Sequence, residues 1–210
     1  MRFLSKFHST LIFTLFLILA LGIYQSNTNH NLFLTINSFH TLLPVKFWEL
    51  INVISYRKYL ILQALLLVIT FLWKRDKLLN IIILIMAYFI VFAALKTFFG
   101  EARPYIVLDP NSFYWLNMYE DATKNAHQSF PSGHVGNMAV FAFAISSMFF
   151  DKTKLLQFLM LLFVLITGVS RICTGWHWPL DVIASGLIGY LLVKICLSIR
   201  LGRANSKNKY

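Results

Sequence analysis

Three groups of polar residues stand at the ends of apolar stretches in this chain. An ionisable group is costly to keep at membrane depth, so each group is by default a functional hypothesis. Together they contain three cations, two histidines and one carboxylate, a set that can bind an anion and move a proton. The groups are Lys96 with Arg103-Pro104, then Pro131-Ser132-Gly133-His134, and then Ser170-Arg171 with His177 and Asp181.

The three cations indicate that the ligand is an anion. Lys96, Arg103 and Arg171 would repel one another if the fold brings them together, and a phosphate group is the natural partner for such an array. A zinc site made of the two histidines and the aspartate is an alternative. The cations argue against zinc, because they would oppose a divalent ion.

The second group predicts a phosphate-binding helix start. Pro131 suits the beginning of a helix, and Ser132, Gly133 and His134 would then present backbone N–H groups without intrahelical partners. A helix N-terminus with small residues can hold phosphate, because its donors and the helix dipole point the same way. The simpler alternative is a helix start with an incidental histidine.

The third group supplies a nucleophile or a base. His177 comes just before a helix that Trp178-Pro179 would begin, and Asp181 follows four residues after the histidine. A carboxylate there can bind one imidazole nitrogen and leave the other nitrogen reactive. Alternatively, Asp181 only interacts with the helix dipole and His177 is interfacial.

The composition places these groups in a membrane protein. Of 210 residues, 58% are hydrophobic and 13% are charged, against roughly 25% charged in soluble domains. These values exclude a soluble globule and a disordered chain. The net charge of +11 could indicate nucleic acid, but most Lys and Arg residues stand in short groups between apolar stretches. Cys173 and Cys196 are too few for a disulfide scaffold.

Six apolar stretches predict membrane-spanning helices, since a helix needs about 20 apolar residues to cross the hydrocarbon core. They cover residues 10–24, 59–73, 78–98, 135–150, 155–169 and 180–199. The predicted fold is all-α, a polytopic membrane protein with six transmembrane helices. Apolar residues at helical spacing between 27 and 58 predict an interfacial helix after the first span. We expect one membrane-embedded domain over 1–210, with its motifs within 96–181 and a short cytoplasmic tail at 200–210.

The distribution of basic residues predicts the orientation. With the N-terminus inside, the inner segments carry eleven Lys and Arg residues and the outer segments carry seven, so the positive-inside rule places both termini in the cytoplasm. The outer ends of the last four spans then meet in one layer, together with the aromatic-rich loop 99–130. The first span could instead be a cleaved signal peptide, but no small-x-small cleavage site follows Gly22.

In order and spacing, the three groups resemble the signature motifs of the type 2 phosphatidic acid phosphatase superfamily. The resemblance covers about residues 96 to 186, and the first two spans match only in general layout. One departure is Ser185, where members often have glycine, with Gly186 one place later. The matching residues are Lys96-x6-Arg103-Pro104, Pro131-Ser132-Gly133-His134 and Ser170-Arg171-x5-His177-x3-Asp181.

The resemblance implies a metal-independent lipid phosphatase that needs no cofactor and works through a phosphohistidine. By this likeness His177 attacks phosphorus, Asp181 orients the imidazole and His134 protonates the leaving oxygen. The residues that would hold the phosphoryl oxygens are Lys96, Arg103, Ser132, Gly133 and Arg171.

An outer-face site in a bacterial inner membrane suits a lipid whose phosphate lies at the headgroup layer. Candidates are undecaprenyl pyrophosphate, a lipid A phosphate, phosphatidylglycerol phosphate and phosphatidic acid, and the orientation favours the first two. The expected partners are this substrate and membrane lipids, without nucleic acid. A lipid-to-lipid phosphotransferase and a non-catalytic, transporter-like protein are the alternatives. The superfamily that the motifs resemble also contains vanadium-dependent haloperoxidases. Those members are larger and soluble, which argues against a haloperoxidase role for this chain.

Overall fold

The structure is a computed structural model that describes residues 28–56, 60–117, 126–150 and 153–199. Within these ranges every regular element is helical, which confirms the all-α prediction for this part of the chain. The first predicted span, residues 10–24, and the tail, residues 200–210, lie outside it. The helices are α1 (Thr28–Asn37), α2 (Val45–Ser55), α3 (Ile61–Trp73), α4 (Leu78–Phe99), α5 (Pro104–Val107), α6 (Gly133–Phe149), α7 (Lys154–Cys173) and α8 (Pro179–Ser198), with 3-10 turns at Ser38–Leu42 and Arg75–Lys77.

Three of the described helices are long and apolar enough to cross a membrane, namely α4 with its flanking turns, α7 and α8. The apolar helices α3 and α6 are shorter, with 13 and 17 residues. The six predicted spans therefore stay a prediction. Helix α7 extends beyond the predicted 155–169 as far as Cys173, so Ser170 and Arg171 lie inside its last turn.

Residues 28–56, the described part of the predicted interfacial segment, form two helices rather than the single helix predicted. Pro44 separates them: Leu43 is extended, with φ −132° and ψ 151°, as is favoured for a residue before proline. Both helices pack against α7. Helix α2 buries Trp48 and Asn52 and exposes Leu50. It therefore has one face inside the bundle and one apolar face outside it.

Helix α6 lies at the centre of the bundle and contacts α2, α3, α4, α7 and α8. Glycines make this close packing possible. A Cβ atom at Gly189 would lie 2.7 Å from the Cβ of Ala139, and one at Gly136 would overlap the ring of Phe92. Small residues at helix crossings let the backbones approach closely in membrane proteins. The N-terminus of α6 is thereby held beside the ends of its neighbours.

Candidate active site

The three polar groups come together at one end of the bundle. Lys96 lies in the last turn of α4, Arg171 lies in the last turn of α7, and Arg103 directly precedes α5. Ser132, Gly133 and His134 lie at the beginning of α6, and His177 and Asp181 lie at the beginning of α8. All the predicted site residues are buried: Lys96, Arg103, Ser132, Gly133, His134, Arg171, His177 and Asp181.

The predicted pair of His177 and Asp181 forms. Nδ1 of the imidazole lies 3.2 Å from Oδ2 of Asp181. The same oxygen accepts hydrogen bonds from the backbone N–H of Trp178 at 3.0 Å and from the hydroxyl of Ser129 at 2.5 Å. The carboxylate therefore caps α8 and contacts the imidazole of His177, which is buried and not interfacial. Because a carboxylate oxygen can only accept, the proton of the neutral imidazole is assigned to Nδ1, and the lone pair is left on Nε2.

The Nε2 atom of His177 faces Arg103, whose Nη1 lies 3.3 Å away. That guanidinium donates to the backbone carbonyls of Trp176 at 3.0 Å and Gln128 at 3.2 Å. The ammonium group of Lys96 donates to the same Gln128 carbonyl at 2.6 Å. These neutral acceptors fix the positions of both cations without removing their charge.

Trp176 places a second arginine beside the first. Its ring centroid is 5.4 Å from the guanidinium carbon of Arg103 and 5.2 Å from that of Arg171, and an indole face attracts such cations. The indole N–H donates to the carbonyl of Leu116 at 2.8 Å, which fixes the ring. Arg171 also donates to Oδ1 of Asn52.

The sequence pattern marked none of these supporting residues. Ser129 stands two residues before the proline of the second group, and Trp176 directly precedes the site histidine, so proximity to the motifs was the available signal. Asn52 is far from the motifs in the chain. The one sequence feature that could have drawn attention to Asn52 is that a polar residue stands in a largely apolar helix.

Helix α6 begins two residues later than the second group predicts, because Pro131 lies before the helix instead of at its first position. Ser132 occupies the N-cap position and Gly133 is the first helical residue. The hydroxyl of Ser132 is buried and has no hydrogen-bond partner within the part of the chain that the structure describes. The ring of His134 stacks on that of Tyr56, with 5.2 Å between centroids. A buried, unpaired hydroxyl at a helix N-terminus is well placed to donate to a phosphoryl oxygen.

Burial and charge together hold the pKa of His177 well below its ordinary value of 6.5. Burial is the largest cause, because an imidazolium loses its hydration inside the protein. The positive charges of Arg103, Arg171, Lys96 and His134 add repulsion. The imidazole is therefore neutral at physiological pH, which is the form that can attack an electrophile.

Comparison with known proteins points to one family. The family model described as the PAP2 superfamily matches residues 77–204, which include all three polar groups. An undecaprenyl-diphosphatase of Sulfolobus acidocaldarius is 30% identical over 91 residues. This alignment covers 43% of each protein, so the chain spans less than half the length of that curated relative.

Two solved structures are similar to this fold. LpxE of Aquifex aeolicus superposes with a TM-score of 0.66 and 26% identity, over 82% of this chain and 96% of that one. A transmembrane PAP2-type phosphatidylglycerolphosphate phosphatase of Bacillus subtilis superposes with a TM-score of 0.62 and 22% identity, over 89% and 92%. The second likeness shows the fold alone. Both superpositions cover more of the chain than the family match does.

We expect the imidazole of His177 to stay neutral well below pH 6.5. Below that pH the unfolded chain takes up a proton that the folded protein does not, so the folded state loses stability as the pH falls. NMR titration of histidine-labelled protein in detergent measures this pKa, with His177→Gln to assign the signal. A His177 signal that titrates at or above pH 6.5 would contradict this electrostatic environment.

Proposed function

The chain belongs to the PAP2 superfamily, and we propose that it is a metal-independent phosphatase that hydrolyses lipid phosphates or pyrophosphates in the membrane. The observation that carries this proposal is the placement of His177, whose Nε2 lies 3.3 Å from Nη1 of Arg103 in a site with three buried cations. Phosphoryl transfer depends mainly on positioning and on electrostatic stabilisation. Both requirements fit this group of residues.

In the first step, Nε2 of His177 attacks phosphorus and the bond between phosphorus and the leaving oxygen breaks. Asp181 holds the Nδ1 proton and stabilises the positive charge that develops on the ring. His134 donates its proton to the leaving oxygen. The products of this step are a phosphohistidine and a lipid that has lost one phosphoryl group, which is the lipid monophosphate from a pyrophosphate and the alcohol from a phosphate monoester.

In the second step, water attacks the phosphorus of the phosphohistidine. His134 is now neutral and takes a proton from that water, acting in reverse as a base. The bond between phosphorus and Nε2 breaks, inorganic phosphate leaves, and His177 returns to its neutral form. The enzyme is then ready for another substrate.

The fixed cations supply the charge stabilisation in both steps. Phosphoryl oxygens carry negative charge throughout the transfer, and preorganised donors bind it without reorganisation. A metal ion often provides this stabilisation, and three buried cations can provide it here. The residues that hold the oxygens are Lys96, Arg103, Arg171, the Ser132 hydroxyl and the Gly133 amide.

A polyprenyl pyrophosphate is the substrate that we favour. Similarity to an undecaprenyl-diphosphatase supports it. A site at the helix ends suits a lipid whose apolar chain stays in the bilayer. Lipid A phosphate, phosphatidylglycerol phosphate and phosphatidic acid present the same phosphate group.

The site is proposed to face the periplasm or exterior of a bacterial inner membrane, with both termini in the cytoplasm. The excess of Lys and Arg in the opposite loops supports this orientation, because basic residues favour the cytoplasmic side. An outward-facing site would receive substrate from the outer leaflet.

Purified protein in detergent is expected to release inorganic phosphate from undecaprenyl pyrophosphate whether or not EDTA is present. Vanadate should inhibit, because it imitates the phosphoryl group during transfer. Lys96→Ala, Arg103→Ala and Arg171→Ala should each lower kcat/KM by about 10²–10³, since each removes several kcal/mol of transition-state stabilisation.

Two results would contradict this function. Activity that is lost with EDTA and restored by zinc or magnesium would show that the reaction needs a metal. Transfer of the phosphoryl group to an added acceptor lipid, without free phosphate, would identify a phosphotransferase.

The orientation predicts the accessibility of introduced cysteines. Cys173 and Cys196 are buried and should give little background labelling. A cysteine at Asn111, which is exposed in the loop that follows α5, should react in intact cells with a membrane-impermeant maleimide. As a matched control, a cysteine at the exposed Asp76, before α4, should react only after permeabilisation. The reverse pattern would place the site on the cytoplasmic face.

A further inference from the structure

Asn52 is a buried polar residue of α2, in a segment that precedes the family match at residues 77–204. Its exposed fraction is 1%. A buried amide costs free energy unless its donors and acceptor are paired. The partners of this side chain therefore show what it does.

Both ends of the Asn52 amide are used. Oδ1 accepts a hydrogen bond from Nη1 of Arg171. Nδ2 donates to the hydroxyl of Ser170 at 2.9 Å and to the carbonyl of Trp48 at 2.6 Å. A guanidinium can only donate, so this arrangement fixes which end of the amide faces the arginine. Asn52 thus binds two adjacent motif residues from a different helix.

The end of α2 is also anchored beside the other histidine of the site. Tyr56 directly follows α2 and stacks on His134. The carbonyl of Ser55 accepts a hydrogen bond of 2.9 Å from Nδ2 of Asn137, which lies in α6. These contacts hold the end of α2 against α6, whose N-terminus is the predicted phosphate-binding site.

We propose that Asn52 is a positioning residue that aims the guanidinium of Arg171 at the phosphoryl group. Trp176 attracts the guanidinium through its ring, but a ring face restrains its rotation weakly, whereas the hydrogen bond to Oδ1 fixes its orientation. A neutral amide leaves the positive charge available to the substrate. An aspartate of the same shape would pair with Arg171 and cancel that charge. This inference rests on the proposed phosphatase function.

The alternative is that Asn52 only joins α2 to α7, and Asn80 provides the matched control. Asn80 is equally buried, with 2% exposed, and donates to the carbonyls of Cys196 at 2.7 Å and Ile199 at 3.0 Å. It lies in the first turn of α4, at the end of the bundle opposite Lys96. Loss of its side chain should lower thermal stability and leave the phosphate site intact.

The test measures vanadate binding by calorimetry, together with kcat, KM and the melting temperature in detergent. Asn52→Ala should weaken vanadate binding and lower kcat/KM by about 10-fold to 100-fold, the usual effect of losing a hydrogen bond to a charged group. Asn52→Asp keeps the shape of the side chain and should weaken vanadate binding at least as much. Asn80→Ala should lower the melting temperature without changing vanadate affinity.

A double-mutant cycle then separates positioning from general destabilisation. If Asn52 acts through Arg171, adding Asn52→Ala to Arg171→Ala should cause little further loss of kcat/KM. Fully additive losses would overturn the inference. Unchanged vanadate affinity in folded Asn52→Asp would do the same, even if Asn52→Ala does not fold.

The outcomes also separate this inference from the proposed function. A wild-type protein that neither binds vanadate nor releases phosphate would contradict the phosphatase function itself. A wild-type enzyme that is active and impaired by Arg171→Ala, with Asn52 variants that match it, would overturn the positioning role alone.

Discussion

The burial of one imidazole among positive charges is the constraint on which the site depends. Lys96, Arg103, Arg171 and His134 act together with burial to hold the pKa of His177 below its ordinary value. Burial is the larger cause, and the charges that add to it are the same ones that would attract a phosphoryl group. One arrangement would therefore prepare the proposed nucleophile and the proposed binding site together. An anion that enters this array would relieve the mutual repulsion of the cations, which is a physical reason to expect affinity for phosphate.

The fold holds like charges together by surrounding them with neutral acceptors and aromatic faces. Backbone carbonyls of Gln128 and Trp176 accept from the cations, and the indole of Trp176 lies near both guanidinium groups. These groups come from the segments between helices, at the end of the bundle, where charge costs less than in the centre of a bilayer. The close packing of α6 against its neighbours places a helix N-terminus in the same volume.

The sequence was sufficient to predict which motif residues meet, because consecutive antiparallel helices bring alternate helix ends to one face and a spacing of four residues brings Asp181 to His177. It was not sufficient for the parts that depend on tertiary packing. Pro44 divides the predicted interfacial helix, and the break sets where α2 lies. The contacts of Asn52, Tyr56 and Trp176 follow from how α2 and the loops at this end of the bundle pack on α6 and α7, which no periodicity in the chain specifies.

The most direct test of the central claim is to trap the phosphorylated enzyme. Wild-type protein is mixed with radiolabelled lipid phosphate under single-turnover conditions and quenched rapidly. The account predicts acid-labile, base-stable phosphate on the protein, and none in His177→Ala. His134→Ala serves as the control and is given an activated aryl phosphate in place of the lipid. The leaving group of this substrate departs without a proton, so His177 should still become phosphorylated in this variant. Label on His177→Ala, or product formed by the wild type without label, would contradict the account and indicate direct attack by water.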